Sequence, residues 1–131
     1  MGVLRTYRLR IRRRRKLIRA IRKRRELKSV SNRTKYVKPN DVLLFCTLRN
    51  EHHRLEYFLK YYREKGVRHF FFVDNNSTDG SREYLAQQDD VSLWTTSASY
   101  KDSNFGMDWV NWLQMRYAHD HWTLTVDVDE F

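Results

Sequence analysis

The chain has 131 residues, with 26 Lys/Arg, 16 Asp/Glu and a formal net charge of +10. Hydrophobic residues make up 40% and aromatics 15%, enough apolar material for one globular core. The single cysteine, Cys46, excludes an intrachain disulfide scaffold and a Cys-rich zinc site, and no apolar run reaches the roughly 18 residues of a membrane span.

The charge is unevenly spread. Residues 1–38 carry 17 of the basic residues and one acid, Glu26, and residues 39–131 carry the other 9 basic residues and 15 acids. A basic arm therefore precedes a mildly acidic domain, and Pro39-Asn40-Asp41 punctuates the boundary. In the arm, Leu4, Tyr7, Ile11, Ile18 and Ile21 recur at helical spacing. The unbroken run Arg12–Lys16 would strain an isolated helix by like-charge repulsion, which an anionic surface would relieve. Three readings stand: a solvated, partly disordered arm, an amphipathic segment on an anionic membrane, and a nucleic-acid-binding arm. Tyr7 is its one aromatic before Tyr36, so it offers little base stacking and nucleic acid is the weakest fit.

Beyond the boundary, Val42–Thr47 (VLLFCT) is apolar without alternation, as in a strand buried on both faces. Asn50 is placed to cap the next helix, with Glu51 in its first turn. Leu55, Phe58, Leu59 and Tyr62 form one apolar stripe on that helix, and Gly66 is placed to end it. His69–Val73 (HFFFV) reads as a second buried strand, and Asp74–Gly80 is turn chemistry. A short helix over 81–87, a strand over 91–95 and a polar loop over 96–104 follow. After Gly106 comes a helix with an apolar face of Trp109, Trp112, Leu113 and Tyr117, then a strand over 122–126. This β-α-β-α-β-α-β order predicts an α/β fold, a mostly parallel sheet with helices on both faces.

In open parallel sheets, ligands bind at the carboxyl ends of strands near the switch point in strand order. Three polar clusters fall at such ends: Thr47-Leu48-Arg49-Asn50, Asp74–Gly80 and Asp127-Val128-Asp129. In extended backbone Asp127 and Asp129 would point to the same side, and two carboxylates can approach one Mg²⁺ or Mn²⁺. The plainer alternative is a strand end with one solvated carboxylate. Asp74 could accept a hydrogen bond from a base or ribose, and Asn75 and Asn76 can both donate and accept. Arg49 could pair with a phosphate. Asn111, on the polar side of its helix, is a weaker candidate. His52 and His53 read as surface residues, and Cys46 as an inert core thiol.

Taken together, LLFCTLRNE, FFFVDNNSTDGS and WTLTVDVDEF resemble glycosyltransferases of the GT-A fold, in particular family-2-like enzymes. The resemblance covers about Val42 to Phe131. It implies a GT-A, Rossmann-like sheet whose residues 39–131 form the nucleotide-sugar-binding part of the domain. It implies that Thr47 and Arg49 line the nucleotide pocket, that Asp74 contacts the nucleoside, and that Asn111 borders the sugar-diphosphate. Asn75 stands where the family commonly has a second aspartate that reads the base. Asp127 would approach ribose or the metal, and Asp129 would hold Mg²⁺ or Mn²⁺ on the diphosphate. In that family the catalytic base and acceptor region follow the D-x-D motif, so the base is expected beyond Phe131 and the chain as a truncated portion. The implied activity is transfer of a sugar from a nucleotide-diphospho-sugar to a glycan or lipid-linked acceptor hydroxyl. The single cysteine suits a reducing compartment, and the basic arm would hold such an enzyme at the cytoplasmic face of a membrane, so the expected location is cytoplasmic and peripheral at the inner membrane face. A nucleotidyltransferase with similar metal–diphosphate geometry and a nucleic-acid-binding module are the alternatives.

Overall fold

The structure, a computed structural model, describes residues 2–130. The order is α1 (Gly2–Lys23), β1 (Lys28–Ser31), β2 (Val42–Leu48), α2 (His52–Glu64), β3 (Val67–Asp74), α3 (Ser81–Ala86), β4 (Val91–Thr95), α4 (Met107–Tyr117) and β5 (Thr123–Thr125), with short 3-10 turns at Arg24–Glu26 and Thr34–Tyr36. The five strands form one mixed sheet in the order β1-β4-β3-β2-β5. β2, β3, β4 and β5 are mutually parallel and β1 runs antiparallel on β4. From β2 the chain steps to β3 and β4 on one side, then returns to place β5 on the other. The switch point therefore lies between β2 and β5.

The continuous apolar runs are explained by a sheet buried on both faces. Leu44, Cys46, Phe70, Phe72 and Leu93 face the layer of α2 and α3, where Leu55, Phe58, Leu59, Tyr62 and Leu85 meet them. Leu43, Phe45, Phe71, Val73 and Trp94 face Trp109, Val110 and Leu113 of α4. On that second face Phe45 stacks on Phe71 at 4.5 Å between ring centroids and Phe71 on Trp94 at 6.0 Å, tying three neighbouring strands together. Such pairs add about 0.5–1.5 kcal/mol each beyond their buried area. The Arg63 guanidinium grips both oxygens of Asp90, at 2.8 and 2.6 Å, and so pins the end of α2 to the start of β4.

The arm is more ordered, and more a part of the fold, than its charge suggests. Residues 2–23 are helical, and α1 packs on α4. Ala20 is fully buried, and Arg19 reaches the buried Asp108 at 3.3 Å. Residues 28–31 supply the antiparallel edge strand. Arg33 donates from its backbone to Ser92 Oγ and from its guanidinium to the carbonyls of Val91 and Ala86. The sheet thus begins ahead of the Pro39-Asn40-Asp41 turn, where Asp41 Oδ2 accepts from the Lys38 backbone at 2.8 Å.

Candidate functional site

The carboxyl ends of β2, β3 and β5 enclose a cavity of about 230 Å³. Thr47 and Leu48 line it from the end of β2, Arg49 and Glu51 from the β2–α2 connection, Asn75 from the turn after β3, and Asp127, Val128 and Asp129 from the segment after β5. Tyr100, from the loop after β4, closes the remaining side. The cavity sits at the switch point. Of the residues singled out in the sequence, Thr47, Arg49, Asn75, Asp127 and Asp129 meet there.

Backbone pairing continues past the strand ends and fixes this geometry. Asn75 N–H donates to Leu48 O at 2.8 Å, and Thr96 N–H to Asp74 O at 3.0 Å. The two turns beside the cavity are laced together. Asn50, at φ +53°, accepts from Thr78 N–H at 2.7 Å, and its own N–H donates to Ser77 Oγ. Asn50 is therefore a cross-link between turns, not the cap of α2. That capping role falls to Asp79 of the neighbouring turn, whose Oδ2 accepts from His52 N–H at 3.0 Å while its Oδ1 accepts from Ser81 Oγ and N–H. Burial alone would raise the Asp79 carboxyl. The Ser81 hydroxyl and the His52 and Ser81 amides outweigh it and hold the group below its ordinary value.

Thr47 shows why a glycine opens α4. A Cβ on Gly106 would lie 2.9 Å from Thr47 Oγ1, and Gly106 has φ +79°. Only glycine meets both demands without strain. Thr47 Oγ1 is buried with no hydrogen-bond partner among the described residues.

Asn75 spends both amide hydrogens on the protein: Nδ2 donates to Thr96 O at 3.2 Å and Ala98 O at 3.0 Å. These bonds leave its Oδ1 as the atom with accepting capacity toward a ligand.

The acidic segment differs from the extended backbone expected of it. Asp127 O accepts from Glu130 N–H at 3.0 Å, and Glu130 Oε2 accepts from Asp127 N–H at 2.8 Å, so residues 127–130 form a closed turn. Buried Val128 plugs this turn into the α2 side of the core, and Tyr62 donates its hydroxyl to Glu130 O at 2.7 Å. Both aspartates nevertheless line the cavity. Burial, then the charges of Glu130 and Asp129, raise the Asp127 carboxyl above its ordinary value. Burial and the same acidic groups, Asp127 first, push the Cys46 thiol well up, so it is an inert core thiol. Arg54 lies 3.6 Å from Glu51 and 4.0 Å from Asp129 on the exposed side.

Two expected residues lie elsewhere. Asp74 ends β3 as read, but it is fully buried and does not line the cavity. Its Oδ2 accepts from Arg82 Nε at 3.1 Å and Ser77 N–H at 3.2 Å, while Oδ1 has no hydrogen-bond partner among the described residues. Asn111 is not part of the site. With Trp109, Val110 and Leu113 turned to the sheet, it falls on the opposite side of α4 and lines a separate groove with Arg13, Lys16 and Leu17 of α1. Conversely, Glu51 and Tyr100 line the cavity without having stood out. Glu51 carries only the signal of adjoining Arg49-Asn50, and Tyr100 sits in a polar loop without periodicity.

No three of the His, Cys, Asp and Glu side chains among the described residues come together as a metal-binding group. The donor set does fit a hard cation held by one or two carboxylates and completed by ligand oxygens and water. Asp127, Asp129 and the neighbouring Glu130 and Glu51 make this end of the sheet negative, which disfavours a bare phosphate and favours a phosphate that arrives with a cation.

Comparison with protein-family models, with curated proteins and with solved structures returns no match. No helix among the described residues is long and apolar enough to cross a membrane.

Proposed function

We propose that this chain carries the donor-binding part of a metal-dependent, GT-A-type glycosyltransferase. The observation that carries the reading is the convergence of Thr47, Arg49, Asn75, Asp127 and Asp129 on one cavity at the switch point between β2 and β5. The ligand class is a nucleotide-diphospho-sugar. Asp127 and Asp129 would hold Mn²⁺ or Mg²⁺. When bound, that ion supplies charge neutralisation to the diphosphate leaving group.

The chain's own residues divide the remaining work. Asn75 offers Oδ1 as an acceptor, which suits a base that presents an N–H, such as uracil or guanine. Arg49, exposed at the cavity rim, offers a planar donor fork to phosphate oxygens. Thr47 brings to the cavity wall a buried hydroxyl without a hydrogen-bond partner among the described residues. Tyr100 lines one side. Asp74 is a positioning residue here: through Ser77 and Arg82 it holds the turn that carries Asn75.

Calorimetric titration of UDP and GDP into the whole chain, with and without Mn²⁺, tests this. The whole chain is required because β1 and Arg33 belong to the sheet. Binding that needs Mn²⁺ and is lost in Asp129→Ala is the expected result. A folded protein that binds neither nucleotide with Mn²⁺ present would refute the proposal.

A further inference from the structure

α1 docks in a way that leaves most of its apolar side unused. At 3.6 residues per turn, Leu4, Tyr7, Ile11, Ile18 and Ile21 share one side of the helix, and Arg13, Lys16 and Ala20 fall on the opposite one. The docked side is the second: Ala20 is buried, and Arg13 and Lys16 line the groove against α4. Four of the five stripe residues therefore face outward, and Ile11 is half-buried. Leu4 is 67% exposed, Tyr7 63% and Ile18 49%. Every residue from 2 to 10 is exposed, so the first half of the helix packs on nothing among the described residues. An amphipathic helix ordinarily turns its apolar stripe toward the fold, and this one does the reverse.

The charge on α1 indicates what covers the stripe. The helix has eleven Lys/Arg and no acid. Arg8, Arg12, Arg15 and Arg19 cluster along one flank of the stripe. Their mutual repulsion opposes helix formation in water, and a negative surface would remove it. A helix with an apolar stripe and arginine-rich flanks matches the headgroup boundary of an anionic bilayer, with side chains such as Tyr7 in the acyl region and guanidinium groups on lipid phosphates. Nucleic acid would take the charges and leave the stripe in water. We infer that α1 is a membrane-docking helix. It lies in the interface of an anionic bilayer on its Leu4/Tyr7/Ile18 side while its Ala20 side carries the domain. This inference is independent of the nucleotide-sugar reading.

Flotation with vesicles of equal parts phosphatidylglycerol and phosphatidylcholine, beside pure phosphatidylcholine vesicles and a single-stranded RNA, tests it on the whole chain. Two variants are used. Leu4→Gln/Tyr7→Gln/Ile18→Gln removes the stripe, and Arg8→Gln/Arg12→Gln/Arg15→Gln removes the flank. All six side chains are exposed, and matching thermal melts would show that the fold is kept. Wild-type binding to anionic but not neutral vesicles is expected. Loss should be roughly tenfold per apolar side chain and roughly fivefold per arginine. Vesicle binding unchanged by the apolar triple variant, absence of vesicle binding, or RNA binding tighter than vesicle binding would each overturn the inference.

Discussion

Arg82 is predicted to hold Asp74 in place, and the size of that effect follows from the burial of the pair. Asp74 is 0% exposed, and the Arg82 side chain retains 33% of its exposure with Nε 3.1 Å from Oδ2. Arg82→Met strands a buried carboxylate with the Ser77 amide as its one hydrogen-bond donor. Removing one partner of a fully buried pair costs about 3–5 kcal/mol. Arg82 is still partly solvated, so water can reach the gap and the expected cost falls to about 2 kcal/mol, near the range for a charged hydrogen bond. For a domain of this length that corresponds to a fall in Tm of about 8 °C. Asp74→Asn can still accept from Ser77, and it releases an arginine that can turn to water, so its cost should be about 1 kcal/mol. The double variant should cost no more than Asp74→Asn alone. Urea denaturation of the four proteins gives the coupling energy directly. An Arg82→Met cost below about 0.5 kcal/mol that adds to that of Asp74→Asn would refute the reasoning. Asp74 would then be held by something other than Arg82.

Gly106→Ala should lower Tm and weaken nucleotide binding together, because the new Cβ meets Thr47 at a φ of +79°; the strain should be at least about 1 kcal/mol, and unchanged melts would refute the close approach. His69 is buried against Ser92 Oγ at 2.8 Å, and burial lowers its pKa to about 4. Between about pH 6.5 and 4 the unfolded chain takes up a proton that the folded one refuses. Stability should therefore fall through that window by on the order of 3 kcal/mol and level off below it. His69→Gln should remove that part of the slope in urea melts run across the window. Asp127→Asn should raise Tm without metal, because the Asp127 carboxyl is held above its ordinary value by burial, Glu130 and Asp129 and costs stability once ionised. The same variant should lose any stabilisation by Mn²⁺ with UDP, read in a thermal melt. The buried Cys46 thiol should react with a thiol reagent only as fast as the protein opens, so its labelling rate should rise with urea.

The sheet was legible in the sequence wherever burial on both faces wrote a continuous apolar run. Val42–Thr47, His69–Val73 and 91–95 all became central strands, and the α2 stripe packed as its spacing indicated. β5 was read as 122–126 and is narrower, Thr123–Thr125, with Trp122 85% exposed. All three residues of this edge strand are exposed, so it has little burial pattern to read. β1 left no signal at all: Lys28-Ser-Val-Ser31 is short, and three of its four residues are exposed. Edge strands are kept short and polar because a long apolar edge invites aggregation, and that same choice hides them from a reading based on hydrophobic pattern.

Charge shows composition and not contact. It marked a boundary near residue 38, yet Arg19 and Arg33 are among the residues that bind the first 38 to the rest. An arginine whose partner is a buried carboxylate 89 positions away, as Asp108 is for Arg19, is indistinguishable in sequence from one that faces water. The candidate site escaped this difficulty because its residues follow strands, and the carboxyl ends of parallel strands converge whatever the side chains are. Asn111 was misplaced because it rests on a helix, where position around the axis decides the neighbour. Glu51 and Tyr100 were missed because loop residues join a site through chain geometry that no periodicity records. Topology thus located the cavity, and local pattern could not say which loop side chains would line it.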